Sequence, residues 1–330
     1  MDAPPDPRAL ARLPEDFGKR FLVFVDTEEE FDWTRPLARE NRAVTAIARL
    51  PEAHRFFAAA GVACAYMVDY PVVNDARAAD ILRGFLAEGA CEIGAQLHPW
   101  VTPPHEEEVS SFNSFTGNLP VALQRAKLDA LTERIEAATG VRPIAYRAGR
   151  YGIGAHSAAL LEAAGYRLDA SVRALFDYSA EGGPDFSRFG VYPFWAGPGG
   201  TLLDLPLSAA YVGALRRRGG ALYRFGNRFP LWRGLLARTG LLRRVALTPE
   251  DYPLAEAIET IHVMLGEGVA IFSLSYHSPS VEPGHTPYVR DAADLRAFYA
   301  WWDGVLALFA REGVAPARVS ELVAAADAAR

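Results

Sequence analysis

The sequence predicts an α/β fold whose parallel strands form a barrel or an open sheet. Residues 21–25 are five consecutive apolar residues, a pattern typical of a strand buried on both faces. Strand-like and helix-like segments then alternate up to residue 172 and resume at residue 252. Polar side chains follow the carboxyl ends of these strands, which is where ligands gather in α/β architectures.

The composition predicts a globular protein with a substantial core, since 50% of the 330 residues are apolar. We find no internal repeat and no flexible linker, so we expect a single domain over residues 1–330. The net charge of −6 argues against a nucleic-acid-binding protein. Cys64 and Cys91 lie in apolar strand-like runs and are expected to be small buried side chains.

The N-terminal residues lack the charged and apolar regions of a signal peptide. No run approaches the roughly 20 apolar residues that a membrane span requires. The sequence therefore predicts a cytoplasmic location.

Hydrophobic spacing predicts the elements in order. Predicted helices cover residues 41–60, 75–88, 123–139, 156–164, 252–267, 291–311 and 319–329. Predicted strands cover residues 21–25, 62–68, 91–98, 142–152, 166–172 and 269–276. Residues 99–119 are rich in proline, serine and asparagine and are expected to form a long loop directly after His98, of the length that is usually either functional or disordered.

The regular pattern loosens at residues 173–250, which we interpret as an insertion. Residues 191–195 and 202–205 are expected to pair as a β-hairpin. No acidic residue lies between Leu205 and Pro249, whereas nine arginines do. These are Arg216, Arg217, Arg218, Arg224, Arg228, Arg233, Arg238, Arg243 and Arg244. They indicate either two solvated helices or a surface that contacts the phosphates of a lipid-linked or nucleotide-linked sugar, or an anionic membrane.

An acidic cluster follows the first strand directly. Its five carboxylates are Asp26, Glu28, Glu29, Glu30 and Asp32. Such a cluster is also found in the first turn of a helix or in a solvated loop. Because the set emerges from a buried strand, we favour a metal or acid–base site.

Four predicted strand ends carry groups of complementary chemistry. They supply Asp26 with Glu28, then His98, Arg147 and His277. Carboxylate and imidazole ligands suit a zinc-type ion that activates water. A carboxylate near an arginine stays ionised and can act as a base, and a histidine can protonate a leaving group. Together they indicate metal-assisted hydrolysis.

Five segments in this order resemble the motifs of polysaccharide deacetylases, the NodB-homology or carbohydrate esterase family 4 group. They read Phe-Val-Asp-Thr-Glu at 24–28, Glu-Ile-Gly-Ala-Gln-Leu-His-Pro at 92–99, Tyr-Arg-Ala-Gly-Arg-Tyr-Gly at 146–152, Leu-Asp-Ala-Ser-Val at 168–172 and Ser-Leu-Ser-Tyr-His at 273–277. The similarity spans roughly residues 20–280, and within the group the chain most resembles the WalW-like branch associated with bacterial polysaccharide biosynthesis.

The resemblance implies a distorted (β/α)7 barrel with an α/β insertion, and metal-dependent removal of an N-acetyl group from an amino sugar. By position, Asp26 would be the catalytic base, Arg147 would orient it, and His277 would be the acid for the departing amine. Glu28 and His98 would hold a divalent ion, zinc in the first place and cobalt or nickel as alternatives.

Further contacts with the sugar are expected near the same strand ends. Trp100, Arg150 and Tyr151 are the candidate substrate-binding residues. Arg150 occupies part of a Gly-Arg pair where the family commonly has proline, so we interpret it as an extra clamp.

The chain departs from the family pattern in two places. Thr27 separates Asp26 from Glu28, although this spacing still sends both side chains to one face of an extended segment. The second motif lacks one of two histidines spaced four apart, since Gly94 and Thr102 are the residues four positions from His98; when the Glu-Ile-Gly run is aligned instead, Gln96 falls where the first histidine would be. Candidates for the third metal ligand are Gln96, Glu30, His105 and His285, or the metal is absent.

Two other functions fit the same residues. One is hydrolysis of another C–N bond, as in cyclic ureides and imides. The other is a metal-free carbohydrate-binding protein that kept the barrel, which the missing histidine suggests.

Overall fold

A computed structural model describes residues 3–226, 234 and 236–330, and it confirms the predicted α/β fold. The strands are β1 (Arg20–Thr27), β2 (Cys64–Val68), β3 (Cys91–Leu97), β4 (Ala145–Ala148), β5 (Leu168–Asp169), β6 (Phe194–Ala196), β7 (Leu202–Asp204), β8 (Ala209–Val212), β9 (Arg243–Ala246), β10 (Ile271–His277) and β11 (Ala315–Pro316). The helices are α1 (Leu50–Ala59), α2 (Tyr70–Asn74), α3 (Ala76–Ala87), α4 (Val121–Thr139), α5 (Ser157–Ala163), α6 (Gly219–Gly226), α7 (Leu254–Gly266), α8 (Ala292–Arg311) and α9 (Val319–Ala328).

Seven strands run parallel in the order β10-β1-β2-β3-β4-β5-β7. The segment after β7 brings the two sides of this curled sheet together. The Leu207 backbone N–H donates to Val172 at 2.8 Å, beyond β5, and the next N–H, that of Ser208, donates to Ser273 in β10 at 3.1 Å. The sheet thus curls into the distorted seven-stranded barrel that the family resemblance implies.

Side chains alternate between the two faces of each strand, as the pleat requires. In β1, Phe21, Val23 and Val25 pack outward in the large core that includes residues of α1, α3, α4, α7 and α8. Leu22 and Phe24 belong to a smaller core inside the barrel. Asp26 follows on the same inner face, so the alternation itself delivers a carboxylate to the interior.

Helix α9 closes the amino end of the barrel. Its apolar residues belong to the same inner core as Leu22 and Phe24, and they are Val319, Leu322, Val323 and Ala326. The carboxylate of Glu92 in β3 accepts the backbone N–H groups of Val319 at 2.6 Å and Ser320 at 3.0 Å. These two bonds satisfy backbone N–H groups at the start of α9 that have no partner within the helix, and they fix the helix to the sheet.

The predicted helix over residues 41–60 is wrong in its first half, because α1 begins at Leu50 after a 3₁₀ turn. The cause is the acidic cluster. Glu30 pairs with Ala43 through the backbone, and its carboxylate accepts the N–H of Ala46 at 2.6 Å and the hydroxyl of Thr45 at 2.9 Å. These bonds hold the chain in an irregular path that periodicity cannot reveal.

The predicted hairpin is confirmed, with β6 antiparallel to β7. The strand predicted over 166–172 is regular only at Leu168 and Asp169. The predicted loop over 99–119 contains one short 3₁₀ turn, Thr116–Asn118. The described part of the chain shows no helix with the length and apolarity to cross a bilayer, and both cysteines are buried and free, as predicted.

The Arg-rich stretch includes an antiparallel pair, β8 with β9, that periodicity did not predict. Arg243 makes ion pairs with Glu256 and Glu259, each at 2.8 Å. Arg244 stacks on Phe176 at 3.6 Å, so both arginines serve contacts within the fold. Two other arginines of the predicted set, Arg228 and Arg233, lie outside the described residues.

The loop after β3 is anchored by a buried cation. Lys127 of α4 is fully buried, and its ammonium group donates to the carbonyls of Pro99 at 2.9 Å, Thr102 at 2.6 Å and Pro104 at 2.7 Å. The Glu107 carboxylate lies 3.0 Å from the same nitrogen. One side chain therefore organises the segment that follows His98.

We expect Lys127→Met to lower the free energy of unfolding by about 3–5 kcal/mol, because it leaves a buried carboxylate without its main partner. Urea unfolding followed by circular dichroism measures this loss. Arg125→Met is the matched control on the same helix, since Arg125 is exposed and pairs with Asp129 at 2.9 Å. We expect the control to lose less than about 1 kcal/mol. Equal losses in the two variants would contradict the anchoring role.

Candidate active site

The candidate site lies at the carboxyl end of the barrel, where β1, β3, β4 and β10 finish. Asp26 is directly opposite His277 in the parallel register of β1 and β10. Gln96 is opposite Arg147 in the register of β3 and β4. The strand alternation therefore brings the predicted base, acid and arginine to one face.

Asp26 and Arg147 form a buried ion pair. The Arg147 Nη1 donates to Asp26 Oδ1 at 2.6 Å, and its Nε donates to the carbonyl of Ala170 at 3.1 Å. The guanidinium also lies 5.0 Å from the centre of the Phe24 ring. These contacts fix the Asp26 carboxylate and leave Oδ2 facing His277, whose Nε2 is 4.0 Å away.

His277 has a partner that the sequence analysis missed. The Glu250 carboxylate accepts from His277 Nδ1 at 2.7 Å and from the His277 backbone N–H at 2.9 Å. The Ser280 hydroxyl donates to the same carboxylate at 2.6 Å. Glu250 follows the Arg-rich stretch, far from the five motifs, so spacing gave no signal for it.

Glu28, Gln96 and His98 converge beside this pair. His98 Nε2 lies 3.5 Å from Glu28 Oε2. The Gln96 amide nitrogen lies 3.0 Å from Glu28 Oε2 and 3.2 Å from His98 Nε2. Within the described structure, Glu28 Oε1 and Gln96 Oε1 are buried without a hydrogen-bond partner.

Glu29 contacts the Nδ1 side of the His98 ring, and Asp69 in turn holds the backbone of Glu29. His98 Nδ1 contacts Glu29 Oε2 at 2.7 Å, and the Trp100 indole donates to Glu29 Oε1 at 2.7 Å. Asp69 accepts the backbone N–H groups of Glu29 and Val72, at 2.7 and 2.8 Å. With Nδ1 protonated by this contact, Nε2 of His98 presents its lone pair to the Gln96 amide and to the side of the site where Glu28 lies.

Glu29, Asp69 and His98 also form a buried group that could hold a metal ion, since one ligand atom from each lies within 4.8 Å of the others. The oxygens of Glu29 and Asp69, however, already accept hydrogen bonds. Glu28, with its unpartnered oxygen, is therefore better suited than Glu29 or Asp69 to bind a metal ion together with His98. Glu29 is better suited to orient the imidazole.

Burial and neighbouring charges shift the pKa values of Glu28 and His277. Burial raises the pKa of Glu28 to about 8, with Glu29 and Asp26 adding to the rise and His277 and His98 opposing it. Burial alone would lower the pKa of His277, but Glu250, Glu28 and Asp26 outweigh it and raise that pKa to about 10. At neutral pH His277 therefore carries a proton on each ring nitrogen.

The other candidates for a third metal ligand lie elsewhere. His285 pairs with the Glu30 carboxylate at 3.1 Å, and His105 contacts Arg42 at 3.3 Å. Of the described residues, the cavity wall includes Gln96 but not Glu30, His105 or His285.

The turn after β4 places the predicted substrate-binding residues. Arg150 and Tyr151 both have positive φ angles, 53° and 58°, in the left-handed region that side chains rarely adopt. Arg150 bonds Glu181 and donates to Ser114 at 2.6 Å, and Tyr151 stacks on Tyr178. Such strain costs about 1–3 kcal/mol per residue and concentrates at binding sites.

A cavity of about 510 Å³ opens over these residues. It is lined by all eight predicted site residues: Asp26, Glu28, His98, Trp100, Arg147, Arg150, Tyr151 and His277. Trp100 is 2% exposed and stacks on His98 at 4.4 Å, so it mainly supports the imidazole. Aromatic rings that the sequence analysis did not select also line the wall, namely Phe31, Trp33, Tyr178 and Tyr288.

The sequence matches no protein-family model, and no curated protein matches it. Solved structures do match. A protein assigned as a polysaccharide deacetylase from Mycobacterium smegmatis is 17% identical, with 99% of this chain and 96% of that chain covered and a TM-score of 0.54. Another so assigned, from Pseudomonas aeruginosa PAO1, is 14% identical over 92% and 88%, with a TM-score of 0.50.

Puue allantoinase gives the same values as the second deacetylase: 14% identity, coverage of 92% and 88%, and a TM-score of 0.50. At these identities the likeness establishes the fold. The curled α/β sheet is of the NodB type found in polysaccharide deacetylases. Because proteins named for two different activities share this fold, the activity of this chain must be argued from its own site.

We expect Gly149→Ala to displace His98, because the added Cβ would lie 2.2 Å from the imidazole Cδ2 and 2.9 Å from the carbonyl of Leu97. The loss of stability should be about 1–3 kcal/mol, with a shifted His98 Nδ1–H resonance by NMR. Gly84→Ala in α3 is the control, since its Cβ meets no described atom within 4 Å. An unchanged His98 resonance in Gly149→Ala would show that the imidazole is held less firmly than these contacts indicate.

Proposed function

We propose that this protein is a hydrolase that removes an N-acetyl group from an amino sugar with the help of a divalent metal ion. The observation that carries the proposal is the Asp26–His277 pair. A carboxylate and a protonated imidazole face each other across 4.0 Å at the floor of a cavity, each with its own fixed partner. Amide hydrolysis needs this combination of a base for water and an acid for the departing amine.

Asp26 is the proposed base. Arg147 occupies Oδ1, so Oδ2 is the oxygen left to take a proton from the attacking water. Arg147 keeps the carboxylate in one orientation through its second bond to Ala170. In this role it is a positioning residue, because it acts through Asp26.

His277 is the proposed acid. Its raised pKa, about 10, keeps it protonated at neutral pH. The Nδ1 proton stays with Glu250, and the Nε2 proton passes to the nitrogen of the amide as the C–N bond breaks. Water supplies the oxygen of the released acetate, and the sugar leaves with a free amine.

The residues beside this pair fit a divalent cation. Glu28 and His98 offer one carboxylate oxygen and one imidazole nitrogen, and the unpartnered Glu28 Oε1 shows that the carboxylate is not satisfied by the described chain. The orientation of a glutamine amide is an assignment, so Gln96 turned over would present its unpartnered oxygen to the same place. When bound, such an ion supplies Lewis acidity to the amide carbonyl and to water. Zinc, cobalt or nickel suits this donor set.

The cavity favours a short sugar. A volume of about 510 Å³ lies in the ordinary range of small-molecule sites. The rings of Trp33, Tyr178 and Tyr288 offer apolar faces on which a pyranose can stack, and Arg150 offers a charged donor at the rim. A phosphate-linked sugar bound by the exposed Arg217 and Arg218 stays a prediction, as do the WalW-like branch, a cytoplasmic location and contact with a membrane surface.

A second candidate is hydrolysis of a cyclic ureide or imide without a metal. One observation favours it: the Gln96 amide group already lies between Glu28 and His98, where it donates to both acceptors. A structural neighbour is named an allantoinase. Purified protein should be offered N-acetylated sugars and cyclic ureides side by side, and the preferred class decides between the two.

We expect Asp26→Asn to abolish acetate release from an N-acetylated oligosaccharide, because an amide cannot take the proton from water. The variant should fold, with some loss of stability from the unpaired Arg147. Circular dichroism checks the fold, and an acetate assay checks the reaction. Asp32→Asn, an exposed change in the same acidic cluster, is the control. Activity of Asp26→Asn within about tenfold of the unmodified protein would remove Asp26 from the role of base.

We expect Glu28→Gln to weaken zinc binding at least about tenfold and Gln96→His to strengthen it by a similar factor. The reason is that the first change removes an anionic ligand and the second supplies a better one. Metal analysis and calorimetric titration with zinc measure both effects. His105→Asn, outside the cavity, should bind as the unmodified protein does. Failure of the unmodified protein to take up zinc, cobalt or nickel would exclude the metal-dependent reaction.

A further inference from the structure

Arg173 follows β5 along the chain and lines the cavity. A parallel bridge to Leu207 holds its backbone, and its carbonyl accepts the Phe176 N–H at 3.2 Å. Its guanidinium lies 4.1 Å from the centre of the Phe176 ring and 5.3 Å from that of Tyr151. These contacts fix the guanidinium at the cavity wall before any ligand arrives.

The Arg173 guanidinium has donors that the described chain does not use. Nη1 donates to the Tyr178 hydroxyl at 3.0 Å, while Nε is buried without a hydrogen-bond partner among the described residues. Nη2 lies 3.7 Å from the Asp251 carboxylate, which is too far for a hydrogen bond, and the Asp251 side chain is 43% exposed. Because the aromatic rings cover the faces of the guanidinium, its N–H edge is the part left for a ligand.

Arg173 differs in this respect from the other arginines of the described wall and from the protonated His277. Each of those cations has a carboxylate within hydrogen-bonding distance. The pairs are Arg35 with Asp32 at 3.1 Å, Arg147 with Asp26 at 2.6 Å, His277 with Glu250 at 2.7 Å, and Arg150 with Glu181. Arg173 is therefore the cation whose charge its neighbours neutralise least.

A second guanidinium lies against the same aromatic ring. Arg244 is 3.6 Å from the centre of Phe176, and its Nη1 donates to the carbonyl of Leu175 at 2.9 Å. Burial lowers the pKa of Arg244, and the charge of Arg173 adds to that fall. In the part of the chain that the structure describes, Asp251 is the carboxylate that pairs with either arginine. Because a buried charge is costly without an opposite one, this side of the cavity favours an anion.

We propose that Arg173 forms a subsite for an anionic group of the substrate, so that the protein prefers acidic N-acetylated amino sugars to neutral ones. The inference rests on the proposed amide hydrolysis and names the class of sugar. A carboxylate or a phosphate can accept two hydrogen bonds from one guanidinium, and the opposite charges strengthen both bonds. The hydroxyl of a neutral sugar offers no such charge.

The subsite lies close to the proposed base. Burial raises the pKa of the Tyr151 hydroxyl, Arg173 opposes this rise, and Asp26 adds to it. Both charges are thus near the same hydroxyl. A cavity of about 510 Å³ can therefore place an anionic group at Arg173 and the acetamide of the same short sugar near Asp26.

The first test measures binding without any assay of activity. The protein is titrated with D-glucuronate, inorganic phosphate or D-glucose, and the arginine Nε–H resonances are followed by NMR. The Arg173 resonance, identified by its loss in Arg173→Lys, should shift with at least one of the two anions and not with glucose. The shift should weaken as salt is added. A shift with glucuronate alone assigns the subsite to carboxylates, and a shift with phosphate alone assigns it to phosphates. No shift with either anion overturns the proposal.

The second test compares acetate release from N-acetylglucosamine, from its 6-phosphate and from the uronic acid that carries a carboxylate at the same carbon. We expect kcat/KM to be about 10- to 100-fold higher for at least one acidic sugar than for the neutral one, since a charged hydrogen bond is gained. Arg173→Met should reduce this ratio to about one, mainly through KM. Arg173→Lys keeps the charge and loses the planar fork, so it should keep part of the preference.

Arg35→Met is the matched control, because Arg35 also lines the cavity but is 80% exposed and pairs with Asp32. It should keep the preference for the acidic sugar. A preference that survives in Arg173→Met, or that is lost equally in Arg35→Met, would overturn the subsite. If the unmodified protein releases acetate from none of these sugars, the proposed function fails while the NMR titration still decides whether Arg173 binds an anion.

Discussion

Removal of carboxylates from water is the constraint on which this site depends. Asp26, Glu28, Glu29 and Asp69 are all at most 4% exposed, and each ionised form is costly without a partner. The fold stabilises each of these carboxylates in a different way. Arg147 neutralises Asp26, backbone N–H groups satisfy Asp69, and indole and imidazole donors satisfy Glu29. Glu28 is left with an unpartnered oxygen, and this difference makes it the natural ligand for a cation.

The same constraint explains why the strand ends are so densely connected. A buried base is useful when its orientation is fixed before substrate arrives, because no energy is then spent on reorganisation during the reaction. Arg147 does this for Asp26, Glu29 for His98 and Glu250 for His277. Asp26, His98 and His277, which face the cavity, are thus each held by a partner on the side away from it.

The Arg-rich region is interpreted differently once its contacts are known. A stretch with nine arginines and no acid first indicates a surface for phosphates or lipids. Arg243 and Arg244 instead hold β9 against α7 and Phe176. The segment that follows β9 is thereby placed beside β10, and Glu250 reaches the cavity. Part of this positive charge therefore serves the architecture of the site.

The sequence by itself determined the α/β class, the order of most strands and helices, and the face on which Asp26, Glu28, His98, Arg147 and His277 lie. It could do so because buried strands are marked by apolar runs and because a period of two fixes which side chains share a face. The hairpin of β6 with β7 followed from turn chemistry in the same way.

The tertiary structure alone decided the rest. Glu250 and Asp69 join the site across long separations in sequence, so no local spacing could indicate them. The first half of the helix predicted over 41–60 gave way to bonds with Glu30, because a partly buried carboxylate that accepts nearby backbone and hydroxyl donors competes with the helix for them. The sequence shows Gln96 as a departure from the second family motif. Its position between Glu28 and His98 results from the barrel, which brings the ends of β1 and β3 together.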